Sequence, residues 1–369
     1  MRVIVVGAGI VGLSAAWWLR RLGHAPIVLD KGPIPNPDSS SHDRHRLIRL
    51  AHTEGDGRGV IIHEAYAAWD ALWEDLGRSH YVATGMLMTA REPSDWAVSC
   101  RAQLDRLGTA YELWDRDRLA RAFPYLLLTD RDWGLYMAQG GALLADRILA
   151  DLAAWLARSG VELRPHTAVA RLAGRTAILA DGSSIAGDAI VAAAGAWSGR
   201  LLPHLAAELT PKRAVVAYLE PPAAVAAAWA RSPCYLDFGG RSDLYLVPPL
   251  RGDGLKFGAG AHSRPADPDE PRRLRADEPA SLLAHLRPFI RELERYRVLE
   301  TRVCWTCDSP DERFRCGVRD DGVVYAAACS GQMFKFGAVL GHRLAEAATG
   351  AIDGAALARW ALGEWPRAM

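Results

Sequence analysis

The stretch VIVVGAGIVG, residues 3–12, decides the fold of this chain. Its first four residues are apolar β-formers, which predicts a buried parallel strand. Three glycines follow in the order G-x-G-x-x-G, at Gly7, Gly9 and Gly12. In dinucleotide-binding units the first glycine permits a tight turn, the second lets a pyrophosphate approach the backbone, and the third lets helix and strand pack closely. The stretch therefore predicts an anion site at the beginning of a helix.

Residues beyond the turn complete a strand–helix–strand unit. Apolar residues recur at helical spacing as far as Gly23, and a second apolar strand is predicted at residues 26–29. That strand ends on Asp30, at the distance where an acidic residue reaches a ribose hydroxyl. We therefore predict an α/β fold, α+β overall, with a Rossmann-like domain. The unit itself does not choose between NAD and FAD.

Length and charge narrow the class of protein. The chain has 369 residues, 50% of them apolar, and a net charge of +1. Single cores stop growing at roughly 250–300 residues, so the length predicts two domains. The balanced charge gives no electrostatic case for nucleic acid or an anionic membrane, and no apolar run approaches the ~18 residues of a membrane span. The first strand leaves no room for a cleavable signal, so we expect a cytoplasmic protein.

Cysteine and lysine usage point in different directions. The six cysteines do not indicate a disulfide framework, and the C-x-x-C pair Cys304 and Cys307 lacks the second ligand pair of a zinc site, so we predict no metal. Of 44 basic residues only four are lysines. An ammonium is a compact, titratable point charge, so each lysine is either a candidate for a specific site or a chance survivor.

Two distant segments favour FAD. Residues 161–197 predict several strands around an Asp-Gly turn at 181–182 and end in DAIVAAAGAW, which resembles the second glycine-bearing segment of FAD oxidoreductases. Residues 322–350 predict a buried strand, a Ser-Gly turn and a helix, which would aim a second helix N-terminus at a flavin. An ordinary βα unit is the alternative for the last segment. A polar, proline-rich stretch at 263–279 predicts an exposed loop.

The predicted FAD-binding domain is consequently discontinuous. It comprises residues 1–80, 141–211 and 301–369. The second domain, a mixed sheet with helices that forms the substrate site, comprises residues 81–140 and 212–300.

Four blocks of the sequence resemble the monomeric sarcosine oxidase group of amine oxidases, which includes N-methyltryptophan, pipecolate and fructosyl-amino-acid oxidases. The first block is the glycine fingerprint ending in Asp30-Lys31. The others are SHDRHRLIR at 41–49, GLKFG at 254–258, and CWTCDSPDERF at 304–314 followed by SGQMFKF at 330–336. The likeness extends over nearly the whole chain and implies FAD as the cofactor.

The resemblance implies roles for two residues beside the flavin. Cys304 matches the cysteine that bonds covalently to the flavin 8α-methyl group; a buried core cysteine is the alternative. Lys256 matches the lysine that activates oxygen, and a fixed cation would stabilise the charge that develops on oxygen. A solvated lysine on a strand edge is its alternative.

Further matches lie at the substrate and around the ring. Arg49 and Lys335 match the pair of cations that holds the substrate carboxylate. His42 and Arg46 match residues that tune the flavin site, although His42 is equally a loop histidine without a role. Tyr245 aligns with a pocket tyrosine or is a buried strand tyrosine. The cofactor contacts implied by fingerprint and resemblance together are Gly7, Gly9, Gly12, Asp30, Lys31, Ser41, Val169, Cys304, Gly331 and Lys335.

Departures from the family pattern concern the substrate pocket. Thr306 replaces the usual aromatic residue, Gly260 replaces a histidine although His262 is close by in sequence, and Met333 replaces a small residue. A pocket without the tyrosine and the histidine is larger and less polar, which puts sarcosine itself in doubt.

These observations predict an FAD-dependent oxidase of a secondary amine that carries a carboxylate. The amine passes a hydride equivalent to the flavin, the imine hydrolyses to an amine and a carbonyl, and O2 becomes hydrogen peroxide. The alternatives are a dehydrogenase that uses a quinone or protein acceptor and a dinucleotide-binding scaffold without turnover. The expected partners are a small amine and O2, with no nucleic acid and no membrane, and we expect a monomer.

Overall fold

The computed structural model describes residues 1–91, 94–237 and 244–364. Its strands are β1 (Arg2–Val6), β2 (Ala25–Leu29), β3 (His45–Arg49), β4 (Tyr81–Val82), β5 (Met86–Arg91), β6 (Glu112–Trp114), β7 (Asp132–Met137), β8 (Gly140–Leu144), β9 (Glu162–Arg164), β10 (Val169–Ala173), β11 (Thr176–Leu179), β12 (Ser184–Ala186), β13 (Ala189–Ala192), β14 (Thr210–Glu220), β15 (Cys234–Asp237), β16 (Leu244–Val247), β17 (Leu255–Pro265), β18 (Arg297–Asp308), β19 (Arg315–Val318) and β20 (Val324–Ala327).

The α-helices are α1 (Ile10–Arg21), α2 (Arg58–Leu76), α3 (Asp95–Leu107), α4 (Arg116–Ala122), α5 (Ala145–Arg158), α6 (Ser198–Leu201), α7 (Ala223–Ala230), α8 (Glu278–Leu286), α9 (Gly337–Thr349) and α10 (Gly354–Ala361). Short 3-10 helices occur at Gly195–Trp197, Pro203–Glu208, Leu293–Arg295 and Met333–Phe336.

A six-stranded sheet contains the predicted strand–helix–strand unit, in the order β19-β20-β13-β1-β2-β9. Its central pairs are parallel, and only β19 runs antiparallel to its neighbour. Apolar side chains of α1, α2, α5 and α9 pack with the sheet into one core, in which Leu13 and Trp17 are fully buried. The predicted Rossmann-like fold is therefore confirmed, including the hairpin around the Asp-Gly turn and the C-terminal helix, which ends at Gly350.

An eight-stranded mixed sheet forms the second layer, in the order β18-β14-β17-β16-β15-β5-β7-β6. All its neighbours pair antiparallel except β15 and β5. A separate core that includes Phe257 and Phe289 supports it. Strand β18 begins before residue 301 and continues beyond it. The domain boundaries given above stay a prediction.

Strand β3 pairs with β8 in a small three-stranded sheet, β3-β8-β4, and carries two arginines of the SHDRHRLIR block. The predicted loop at 263–279 is shorter than expected, because β17 continues to pair with β14 as far as Pro265. Residues 266–277 contain no helix or strand and are mostly exposed. We refer to them as the 266–277 segment.

The glycine turn leaves no space for a side chain. Gly7 has a φ of +102°, and a Cβ atom there would overlap the carbonyl oxygen of Ala193. A Cβ atom at Gly12 would overlap the carbonyl oxygen of Gly7. The first turn of α1 therefore packs directly against the glycine turn that precedes it. The close packing predicted for the third glycine is thus observed.

We expect Gly12→Ala to lower the free energy of unfolding by about 3 kcal/mol, the upper end of overpacking costs, because backbone cannot move aside as a flexible side chain does. Urea unfolding followed by circular dichroism measures this change. Gly199→Ala is the matched control, since a Cβ atom at this helical position would meet Ala206 at ordinary van der Waals distances, the nearest 3.7 Å. Equal stability of the two variants would contradict the interpretation of the turn.

Candidate functional site

A cavity of about 940 Å³ lies between the two large sheets. The carboxyl ends of β1, β2, β13 and β20 form one side, and β14, β16, β17 and β18 form the other. The predicted site residues on its wall are Gly7, Gly9, Asp30, Lys31, Ser41, Arg46, Arg49, Val169, Tyr245, Lys256, Cys304, Thr306, Gly331, Met333 and Lys335. Two predicted residues, Gly12 and His42, do not line it.

The end of the cavity beside the glycine turn is built for an anion. Helix α1 begins at Ile10 without an acidic residue in its first turn, and Gly9 offers no capping side chain, but the Ile10 backbone N–H donates to Ser41 Oγ at 3.0 Å. The Asp30 carboxylate accepts hydrogen bonds from the backbone N–H of Ala8 and Gly32 and from Asn36, each at 2.8 Å, which orders the loops around the turn. A helix N-terminus without an acidic side chain, and with Gly7 and Gly9 on the cavity wall, fits the pyrophosphate of a dinucleotide.

The 266–277 segment, which follows β17, contacts wall residues at this end, although none of its own residues lines the cavity. Its Asp269 carboxylate accepts hydrogen bonds from Lys31 Nζ at 2.6 Å and from Trp197 Nε1 at 2.8 Å, and it also pairs with Arg200. The Lys31 ammonium lies 4.3 Å from the centre of the Trp197 ring. Lys31 is therefore held at the cavity wall by an acidic residue from a distant part of the chain.

Next to the cavity, one buried carboxylate accepts hydrogen bonds from several side chains. Asp43 is fully buried; one oxygen accepts from Lys256 Nζ at 2.6 Å and from Arg46, and the other accepts from the Tyr218 hydroxyl. Arg302 Nη1 lies 3.5 Å from Asp43 Oδ1. Burial alone would raise the pKa of the Asp43 carboxyl, but Lys256 and Arg46 hold it well below its usual value. Asp43 is therefore ionised at neutral pH.

Lys256 is 1% exposed and points into the cavity from β17. Its ammonium donates to Asp43 and, at 2.9 Å, to the His45 carbonyl oxygen, and it lies 5.6 Å from the centre of the Tyr245 ring. Burial lowers the pKa of Lys256, and Arg46 acts in the same direction while Asp43 opposes both. The solvated-lysine alternative is excluded by this burial.

Arg49 and Lys335 approach the cavity from β3 and from the 3-10 turn before α9, and both are buried. Arg49 donates to the Ala51 carbonyl oxygen, and Lys335 donates to the backbone and side-chain oxygens of Gln332. In the described part of the chain, neither forms an ion pair with a carboxylate. Burial lowers the pKa of Arg49 to about 10 and that of Lys335 well below its usual value, and Arg49 further lowers the pKa of Lys335. An anion placed between them would restore the charged form of the lysine.

Cys304 and Thr306 lie two residues apart on β18, and both reach the cavity. The Cys304 sulfur is 3.9 Å from Asp43 Oδ2. Burial raises the pKa of the Cys304 thiol and Asp43 adds to this, whereas Arg46, Lys256 and Arg302 lower it. The thiol thus faces both the cavity and a group of cations.

Of the histidines considered in the sequence analysis, neither His42 nor His262 lines the cavity. His42 is half-buried and off the cavity wall, whereas His45 lines the wall with its Nε2 atom 3.5 Å from Asp253 Oδ2. Burial lowers the pKa of His45 to about 3, and Lys256 contributes, so this ring is neutral. His262 contacts His285 at 3.0 Å and does not replace the histidine absent at Gly260.

Sequence reasoning also assigned no role to Asp43. It was quoted only as part of the SHDRHRLIR block, although a lone acid among three arginines and two histidines signals an internal counter-charge. Trp96, which lines the cavity from α3, carries no motif that would have identified it.

The described residues show no feature of a metal centre or of a membrane span. Within residues 1–91, 94–237 and 244–364 there is no group of three or more metal-ligating side chains. None of the helices described is both long and apolar enough to cross a membrane. The cytoplasmic location and the monomeric state stay predictions.

Comparison with known proteins agrees with this geometry. The family model described as FAD dependent oxidoreductase matches residues 2–347. The monomeric sarcosine oxidase of Bacillus sp. (strain NS-129) is 27% identical over 362 residues, covering 94% of this chain and 92% of that protein. The N-methyl-L-tryptophan oxidase of Yersinia pestis (strain Pestoides F) is 25% identical over 349 residues, with 92% of each chain covered.

Solved structures share the fold. The open form of NikD, described as an unusual amino acid oxidase essential for nikkomycin biosynthesis, superimposes with a TM-score of 0.83 at 21% identity, covering 100% of this chain and 98% of that one. Fructosamine oxidase from Aspergillus fumigatus (Amadoriase II) gives a TM-score of 0.77 at 21% identity, covering 99% and 93%. With a family model that extends over most of its length and a cavity that fits the cofactor, this chain belongs to the FAD dependent oxidoreductase family.

Proposed function

We propose that the protein oxidises a secondary amine that carries a carboxylate, an N-substituted glycine or amino acid. The amine gives up two electrons and two protons and becomes an imine, which water hydrolyses to an amine and a carbonyl compound. FAD supplies the two-electron chemistry when bound, and O2 takes the electrons to become hydrogen peroxide. The relatives named as sarcosine and N-methyl-L-tryptophan oxidases support this class of reaction.

The observation that carries the proposal is the pair Arg49 and Lys335. Two buried basic groups without a carboxylate partner among the described residues are costly unless an anion binds between them. A substrate carboxylate would supply that charge and would hold the amine in one orientation toward the flavin.

The remaining wall favours a substrate larger than sarcosine. Gly260 and Thr306 line the cavity where the family pattern has a histidine and an aromatic residue, so the wall has more space at these positions, while Met333 replaces a small residue with a larger apolar one. An N-carboxymethyl amine with an apolar tail, which would release glyoxylate, suits a wall of this kind.

Two further assignments belong to the proposal. Lys256 would serve oxygen activation, because a fixed cation stabilises charge that develops on oxygen. Cys304 would bond to the flavin, since it lines the cavity, and three neighbouring cations oppose the rise in thiol pKa that burial and Asp43 cause.

The covalent bond is tested by mass. Flavin should stay with the chain after acid precipitation, and the intact mass should exceed that of the polypeptide by one FAD. Cys304→Ser should release the flavin completely. Cys316→Ser is the control, because that cysteine is buried away from the cavity and should leave the attachment intact. Free FAD in the wild-type supernatant would remove the covalent assignment and leave the flavoprotein intact.

The role of Lys256 is tested by separating the two half-reactions. Lys256→Met should slow reoxidation of the flavin by O2 about 100-fold, the effect of removing one group that stabilises developing negative charge, and should slow reduction by substrate far less. Stopped-flow absorbance measures both steps. Lys212→Met is the matched control, since Lys212 does not itself line the cavity, although its ion-pair partner Asp308 does. Equal effects on both half-reactions would make Lys256 structural, and normal reoxidation would favour a dehydrogenase.

The carboxylate clamp is tested with paired substrates. Arg49→Ala should weaken apparent affinity for the acid substrate about 10- to 100-fold, because one charge-assisted hydrogen bond is lost. The amine without a carboxylate should be poor already, and the substitution should scarcely change it. Steady-state kinetics on both compounds isolates the interaction, because indirect damage to the flavin site would affect both. Equal losses would withdraw the amino-acid substrate class.

A further inference from the structure

Asp43 belongs to the site, although no family motif gave this residue a role. Of the carboxylates in the described ranges, it is the one within ion-pair distance of Lys256. Its contacts come from separate strands: Lys256 from β17, Tyr218 from β14 and Arg46 from β3. Lys256 and Tyr218 are also directly opposite each other in the register of β14 and β17. One carboxylate therefore fixes side chains from three strands, and two of them, Lys256 and Arg46, line the cavity.

The chain contains an internal comparison for the effect of this carboxylate. Lys256 and Lys335 line the same cavity and are 1% and 4% exposed. They differ in their partners, since Lys256 has a carboxylate at 2.6 Å, whereas Lys335 donates to neutral oxygens of Gln332. An opposite charge in contact favours the charged form of a buried group, and neutral acceptors do so much less.

We propose that Asp43 is a positioning residue for oxygen activation, which holds the Lys256 ammonium charged and in a fixed place at the cavity wall. The inference deepens the proposed role of Lys256 and rests on it. A neutral amine at this position would not stabilise negative charge on oxygen, and a mobile one would have to reorganise during the reaction. Asp43 acts through Lys256 and Arg46 and does not itself line the cavity.

The other groups described around Lys256 do not supply the negative charge that keeps its ammonium protonated. Arg46 opposes protonation of the lysine, and the neutral His45 contributes only its backbone carbonyl oxygen. Tyr218 donates to Asp43 itself, and Arg302 lies on the far oxygen of that carboxylate. The remaining titratable groups that face the ammonium are Tyr245, Cys304 and Cys234.

Scarcity of lysine makes the charge of Lys256 directly measurable. The chain has four lysines, so protein labelled with 13C at the lysine Cε gives four side-chain resonances, each assigned by substitution to methionine or arginine. The holoenzyme is titrated with pH, and the midpoint of each resonance reports the pKa of one ammonium. In wild type we expect Lys256 to titrate at a higher pH than Lys335. In Asp43→Asn the Lys256 midpoint should fall by about one to three pH units, the range for loss of one contacting opposite charge.

Asp253→Asn is the matched control. Asp253 is a neighbouring carboxylate that pairs with Arg44 at 3.0 Å and lies near His45, but it does not contact Lys256. The Lys256 midpoint should move by less than about 0.5 units in this variant, and Asp43→Glu, which keeps the charge, should restore most of the shift seen with Asn.

Several results would overturn the inference. A folded Asp43→Asn protein with an unchanged Lys256 midpoint would do so. If that variant does not fold, equal midpoints for Lys256 and Lys335 in wild type would do the same. The titration does not depend on turnover, so its failure differs from failure of the proposed function. Slow reoxidation in Lys256→Met with an unshifted titration would leave the oxidase intact and remove Asp43 from its mechanism.

Discussion

The close approach between α1 and the turn that precedes it is the constraint on which the rest of the site depends. Because Gly12 packs on the Gly7 carbonyl and Gly7 packs on Ala193, strands β1 and β13 and helix α1 have a single arrangement. That arrangement opens the N-terminus of α1 toward the cavity. Strands β14, β16, β17 and β18 of the large mixed sheet form the other side of the same cavity.

Different parts of the cavity attract an anion by different electrostatic means. At the α1 end the attraction for an anion comes from backbone dipoles, which need no counter-ion. At the other end it comes from basic side chains, which burial tends to neutralise. Asp43 compensates Lys256 and Arg46, whereas Arg49 and Lys335 donate to uncharged oxygens and form no ion pair with a carboxylate among the described residues.

Local features of the fold were predictable, and contacts between distant segments were not. The strands, the glycine turn and the helix after it follow from residues close together in sequence. Lys256, Cys304 and Arg49, which the resemblance singled out, line the same cavity, and their roles stay predictions. The role of Asp43 depends on partners as far away as Lys256, 213 residues later, so no spacing reveals it. His42 precedes β3, and a motif match does not report where a side chain points.

The contacts of the 266–277 segment and the packing at the glycine turn differ in how strongly they depend on ionic strength. At the glycine turn, Gly12 packs against backbone atoms, and this contact involves no charge that salt could screen. The contacts of the 266–277 segment with Lys31 and Trp197 are made by Asp269, whose ion-pair partners are partly exposed. Exposed ion pairs contribute only about 0–1 kcal/mol each and are screened by salt over a Debye length of about 8 Å at physiological ionic strength. A higher ionic strength therefore weakens the ion pairs that Asp269 forms with Lys31 and Arg200, without affecting the packing at Gly12.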